Sequence, residues 1–212
     1  MVIMVTHKAE FSKGIDIESK EIKIEISEEL KKAHASARGR RRERIFAINY
    51  QDKTYYIHCI VLRCKKTGEL MLFIPEFIIP RRPFPVFVYL FAISLYCENP
   101  GMSQRKAAEA TRKEFGLEKF SHTTVGRALK AFVSKLGTKG VESGEAAEAD
   151  GGEEGGGTDC RGIPSKQATE ERRRRALAAL PKGLARKSRQ LLIDICCRMA
   201  RARHNKSKCF LL

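Results

Sequence analysis

No apolar run in this chain is long enough to cross a bilayer. The most apolar stretch, residues 84–96, is shorter than the roughly 20 residues a membrane-spanning helix needs. Nothing at the start resembles a leader either. Met1, Val2, Ile3, Met4 and Val5 are apolar, but His7, Lys8 and Glu10 follow at once. Together these absences predict a cytoplasmic protein with no membrane partner. The signatures of catalysis are missing too: no Walker-type phosphate loop, no Gly-x-Ser-x-Gly elbow and no His-Glu-x-x-His. Carboxylates gather in one polar stretch rather than in an apolar setting that would tune them for proton transfer. A transposase or nuclease core would need carboxylates on a mixed sheet to hold metal ions, and there is no room for that sheet. The chain is therefore not expected to be an enzyme.

The seven cysteines are odd in number and scattered, which argues for reduced thiols rather than a disulfide framework. A structural zinc ribbon needs four Cys or His ligands, usually from two close pairs. Cys59 and Cys64 have four residues between them, His58 should face away from Cys59, and no cysteine lies upstream. His34 is the only upstream candidate near the place of a second knuckle, so no metal and no cofactor are expected. Cys196 and Cys197 are adjacent, which suits helix packing better than ligation.

What the chain has in abundance is positive charge. Lys plus Arg number 41 against 25 Asp plus Glu, for a net charge of +16 and an isoelectric point near 9.7. A polyanionic partner is implied, a nucleic acid or an acidic membrane surface.

The stretch around which the rest is organised spans residues 102–132. Ser103 can cap a helix, because its hydroxyl accepts from an N–H left open in the first turn. Ala107, Ala110, Thr111 and Phe115 recur on one face at helical spacing. Gly116 ends the helix, since glycine adopts the left-handed conformation without steric cost. Ser121 caps the next helix, whose inner stripe is Val125, Leu129 and Phe132. His122, Thr123, Thr124, Gly126, Arg127 and Lys130 then face outward. Short polar groups at a helix start with basic groups behind them suit a recognition helix in the major groove. The predicted unit is a helix-turn-helix. Arg105, Lys106 and Arg112 would take phosphates; His122, Thr123, Thr124 and Arg127 would approach bases, with Lys130 on the backbone and the cap Ser121 within the same DNA-binding set. A helical hairpin with a solvated basic face is the plainer alternative.

Before this unit, Ile15, Ile17, Ile22, Ile24 and Ile26 alternate with polar residues, as in strands, and Ser27 could cap a short helix. A basic run containing Arg40, Arg41 and Arg42 feeds straight into a strand and could hold a phosphate backbone. Residues 44–74 read as a three-stranded antiparallel meander: 45–50, a turn at Gln51, Asp52 and Lys53, then 54–63 and 69–74. Residues 75–85 form a proline-punctuated connector, expected to be extended and stiff. Pro85 suits a first helical turn, and residues 86–98 should be a buried helix with Phe87, Leu90, Phe91 and Leu95 as its core.

Past the second of the paired helices, residues 141–159 hold seven acids, six glycines and no Lys or Arg, the composition of a disordered linker. Its charge would compete with DNA for the basic surfaces, so its deletion should tighten binding at low salt. Residues 161–208 then carry fifteen Lys plus Arg against three acids. Two helices are expected there, 165–180 and 184–202, broken at Pro181 and Gly183. Leu184, Leu191, Ile195 and Met199 would form the stripe of the second, widened by Leu192. The pair reads either as a phosphate-binding arm or pairing surface, or as a hairpin packed on the rest of the protein; a basic helix on a membrane surface ranks third, because Lys and Arg interrupt its apolar face.

Residues 38–132 resemble an uncharacterised bacterial family often encoded beside insertion-sequence transposases, in which a zinc ribbon precedes a helix-turn-helix. The likeness is carried by Gly39, Arg40, Arg41 and Arg42, by Arg63-Cys-Lys-Lys-Thr-Gly68, and by Leu72-Phe-Ile-Pro-Glu-Phe-Ile-Ile-Pro-Arg81. Ser103-Gln-Arg-Lys-Ala-Ala108 and Ser121-His-Thr-Thr-Val-Gly-Arg-Ala-Leu129 extend it, and the connector is its most specific part. It covers rather under half of the chain. Members carry a Cys-x-x-Cys ahead of the basic run; this chain has none, and Thr67 stands where a partner for Cys64 would be. The resemblance implies a ribbon that has lost its metal and a DNA-binding role tied to mobile elements.

The predicted class is α+β. An N-terminal segment (1–37) precedes a degenerate zinc-ribbon-like sheet (38–80), a three-helix helix-turn-helix domain (81–136), the linker (137–160) and a basic helical tail (161–212). Double-stranded DNA is the expected partner, with a transposase or a second copy meeting the C-terminal helices. An RNA-binding module that stacks bases on Tyr50, Tyr55 and Tyr56 is one alternative. A non-catalytic remnant or assembly partner of a transposase is the other.

Overall fold

A computed structural model describes residues 2–5, 21–23, 34–36, 43–64, 67–136, 166–207, 210 and 212. Among these described residues six strands come first: β1 (Val2–Val5), β2 (Glu21–Lys23), β3 (His34–Ser36), β4 (Glu43–Tyr50), β5 (Lys53–Cys64) and β6 (Leu70–Pro75). Five helices follow: α1 (Val86–Glu98), α2 (Gln104–Phe115), α3 (His122–Leu136), α4 (Lys166–Ala179) and α5 (Arg189–Ser207). A 3₁₀ turn, Leu184–Arg186, sits between the last two. The class is α+β.

The antiparallel meander β4–β5–β6 is the centre of the sheet. Its hairpin turn places Gln51 and Asp52 at φ 51° and 53°, the left-handed pair that a tight two-residue hairpin needs. Period-two alternation sends Ile48, Tyr50, Tyr55, Ile57 and Cys59 inward, while Ile45 and Tyr56 stay exposed. The sheet is larger than the sequence suggested. β1 runs parallel to β6, with Val2 opposite Leu72; β2 runs parallel to β5, and β3 antiparallel to it. Of the alternating N-terminal isoleucines, Ile22 falls in β2. The remaining ones, the Ser27 helix start, Arg40, Arg41, Arg42 and the linker lie outside the described residues.

The connector is not extended. Ile78 N–H bonds the Pro75 carbonyl at 3.1 Å and Arg82 N–H bonds the Ile79 carbonyl at 3.1 Å, giving two successive turns. In the second, Pro80 supplies the fixed φ and Arg81, at φ 65°, the left-handed residue of a type II turn. The turns exist because Phe77, Ile78 and Ile79 fold into the core.

α1 is buried on every side, not along one stripe. Val86, Val88, Tyr89, Ala92, Ile93, Tyr96 and Cys97 are buried along with Phe87, Leu90 and Phe91, whereas Leu95 is only half-buried. A helix apolar all round must be covered all round. α2 and α3 pack on it, and so do α4 and α5, whose Ala176, Leu192 and Cys196 belong to the same apolar cluster, as does Leu180 just past α4. Tyr50 joins the sheet to this cluster edge-on against Phe87, with ring centroids 5.6 Å apart.

The C-terminal pair also departs from its expected phasing. Gly183, at φ 65°, sets Leu184 in the 3₁₀ turn, so the helical count begins again at Arg189. The buried face of α5 is therefore Leu192, Ile193, Cys196, Cys197, Ala200 and His204. Leu191 is exposed, and Ile195 and Met199 are half-buried.

Candidate nucleic-acid interface

The local chemistry of α2 and α3 follows their sequences closely. The Ser103 hydroxyl accepts from Lys106 N–H at 3.2 Å, and Gly116, at φ 56°, closes α2 with its N–H on the Arg112 carbonyl. Ala107, Thr111 and Phe115 are buried and Ala110 is half-buried. At the head of α3 the Ser121 hydroxyl accepts from Thr124 N–H at 3.3 Å. Val125, Leu129 and Phe132 face the core, joined by Ala128 and Val133.

The hairpin turn of the sheet completes the end of α2. Gln51 N–H donates to the Phe115 carbonyl at 3.2 Å and Asp52 N–H to the Gly116 carbonyl at 2.7 Å. Backbone donors held in the left-handed turn thus satisfy acceptors that a helix end leaves open. The sheet is in this way a support for the helix pair.

Most of the site residues expected from sequence reach solvent. Arg105, Lys106, Arg112, Ser121, His122, Thr123, Arg127 and Lys130 are exposed. Thr124 is half-buried, and its hydroxyl lies 3.0 Å from the Ser121 hydroxyl, which also meets Thr123 at 2.7 Å. The three hydroxyls form one cluster at the start of α3. An open cleft of ≈ 590 Å³ runs beside it, lined by Arg105, Arg112, Lys119, Ser121 and His122, with Glu109 and Glu118 on its rim. Lys119 was not singled out from sequence; its place just ahead of the Ser121 cap was the available signal. Close approach of the helices shows at Gly126, where a Cβ would lie 2.9 Å from the Gln104 Oε1.

The basic residues sort into two kinds. Among the described residues, no hydrogen bond or ion pair engages the side chains of Arg105, Lys106, Arg112, Lys119, Arg127 or Lys130. Several arginines of the C-terminal helices are, by contrast, used inside the molecule. Arg173 is buried and donates to the Tyr96, Asn99 and Pro100 carbonyls at the end of α1. Arg189 donates to the Glu114 carbonyl at 2.5 Å, near the end of α2, and to its carboxylate at 3.2 Å. Arg203 donates to the Lys135 carbonyl at the end of α3. Arg201 pairs at 3.5 Å with the buried Glu76 of the connector. Sequence reasoning missed these roles, because a run of arginines carries no local mark of which member turns inward.

Two other sequence readings meet the structure here. Tyr50 and Tyr55 are buried, leaving Tyr56 as the exposed member of the tyrosine platform considered for unpaired bases. The register of β3 on β5 sets His34 opposite Cys64, but among the described residues no three potential metal ligands come together. Burial pushes the Cys59 thiol up to about 12 against the pull of Arg44. No helix among the described residues is long and apolar enough to cross a membrane.

No protein-family model matches the chain, and neither curated proteins nor solved structures gave a match.

Proposed function

We propose that this protein binds double-stranded DNA in a sequence-dependent way, with α2 and α3 acting as a helix-turn-helix. The observation that carries this reading is the exposed start of α3. There His122 and Thr123 stand free of the core, and Arg127 and Lys130 follow on the solvent side of the same helix. A helix with short polar groups at its head and unengaged cations behind fits a B-form major groove about 12 Å wide. Arg105, Lys106, Arg112 and Lys119 are the cations of the adjoining surface and would meet phosphates. Phosphate contacts fix register, while contacts to base edges confer preference.

A role as regulator or accessory of a transposable element rests on the family resemblance of residues 38–132. The test is selection of duplexes from a random pool, followed by gel shift across a salt series with single-stranded RNA as competitor. The expected result is an enriched motif, affinity that falls steeply with salt, and displacement by duplex DNA rather than by RNA. No enrichment, or preferential displacement by RNA, would sink the proposal.

A further inference from the structure

The C-terminal helices do more than add positive charge. Each of three arginines on them meets the carbonyl end of a different earlier helix: Arg173 that of α1, Arg189 that of α2 and Arg203 that of α3. The chemistry is the same each time. The last carbonyls of a helix lack intrahelical partners and carry the negative end of its dipole, so a guanidinium supplies both donors and charge. α1 needs it most, having no basic residue in its own last turn. At the end of α3 the Lys135 carbonyl is met from α5. Arg189 also packs on the Phe115 ring, 5.8 Å from its centroid, at the joint where the sheet's hairpin turn meets α2.

We propose that Arg189 and Arg203 are positioning residues for the nucleic-acid interface. They fix the ends of α2 and α3 to a common strut, α5, and so set how the two helices are held relative to each other. The inference rests on the DNA-binding reading above, and it reverses the simple view of the basic tail: these cations act through the fold, not on phosphates. Arg198 supplies the comparison. It lies on the same helix, is exposed, and among the described residues bonds the carbonyl of Asp194 within α5, at 3.3 Å.

The experiment uses the full chain and compares Arg203→Ala, Arg189→Ala and Arg198→Ala, which change net charge equally. On the selected duplex, the first two should lose at least tenfold in affinity and Arg198→Ala less than twofold. Specificity over random duplex should fall for Arg203→Ala and Arg189→Ala, with the slope of affinity against salt unchanged, because no phosphate contact is removed. Arg203→Lys keeps the charge without the planar fork and should recover only part of the loss. It also serves as the folded variant should the alanine form unfold. In the free protein, amide exchange should quicken in the last turn of α3 for the Arg203 variants and in that of α2 for Arg189→Ala. A uniform loss on all duplexes with the slope reduced by about one would overturn the proposal, as would unchanged exchange in those turns. Failure of the wild-type chain to select any duplex would sink the DNA reading alone, since exchange reads the clamps without DNA.

Discussion

Arg173 lies over Tyr96, its guanidinium carbon 4.4 Å from the ring centroid, and the same side chain donates to the Tyr96 carbonyl at 2.7 Å. One buried cation thus packs on the last aromatic residue of α1 and satisfies the open carbonyls behind it. Replacement by alanine removes the stacking and leaves those acceptors unmet. Arg173→Ala should lower stability by about 2–4 kcal/mol, and Arg173→Lys should recover less than half of that, having no planar fork. Urea unfolding checks this through the midpoint, at constant slope.

Arg127 and Lys106 should separate base reading from phosphate holding. Arg127→Ala is expected to cost about 1–3 kcal/mol on the preferred duplex and to relax preference at one position. Lys106→Ala should weaken every duplex alike and lower the salt slope by about one. Binding assays on preferred and scrambled duplexes at several salt concentrations distinguish the two. Equal loss on every sequence for Arg127→Ala would mark it as a phosphate contact.

Two glycines of the helix pair should respond in opposite directions. Gly116 sits at φ 56°, and an added Cβ would lie 3.4 Å from the Gln51 backbone. Gly116→Ala should destabilise by about 1–2 kcal/mol, the cost of a side chain in the left-handed region. Gly126 has ordinary helical geometry, and its close neighbour is the flexible end of Gln104. There alanine should gain up to about 1 kcal/mol of helix propensity once Gln104 swings aside. Thermal unfolding of both variants reads the signs.

Glu76 should make stability depend on pH. Burial raises its carboxyl above the usual range, Arg201 pulls it back and Asp194 adds to the rise. A raised acid binds its proton more tightly folded than unfolded. Its favourable contribution is therefore present below the unfolded pKa and is lost as pH climbs through the folded one. Glu76→Gln should flatten the fall in melting temperature between weakly acidic and neutral pH. An unchanged profile would show that Arg201 compensates the carboxylate fully.

Thiol reactivity should follow burial. Cys97 is pushed up to about 12 by burial against the pull of Arg173, and Cys196 and Cys197 are raised by burial as well. At pH 8 the native protein should leave Cys59, Cys97, Cys196 and Cys197 unlabelled by iodoacetamide, while the urea-unfolded chain labels them. Peptide mapping by mass spectrometry reads each site.

The sequence by itself determined the local elements. Ser103, Gly116 and Ser121 bound α2 and α3 because caps and left-handed glycines act within one turn of the chain. β4, β5 and β6 followed from β-branched and aromatic alternation, and α1 from its apolar composition. Tertiary structure alone decided what lies across the chain. Only pairing over some 70 residues sets Val2 opposite Leu72; only five-helix packing closes every side of α1. The same holds for charge. Arg173, Arg189 and Arg203 look like Arg127 in one dimension, and they differ because three meet carbonyl ends and one meets water. Hydrogen-bond partners distant in sequence leave no local pattern, so which arginines of this basic chain turn onto carbonyls and which stay in solvent is written in its packing.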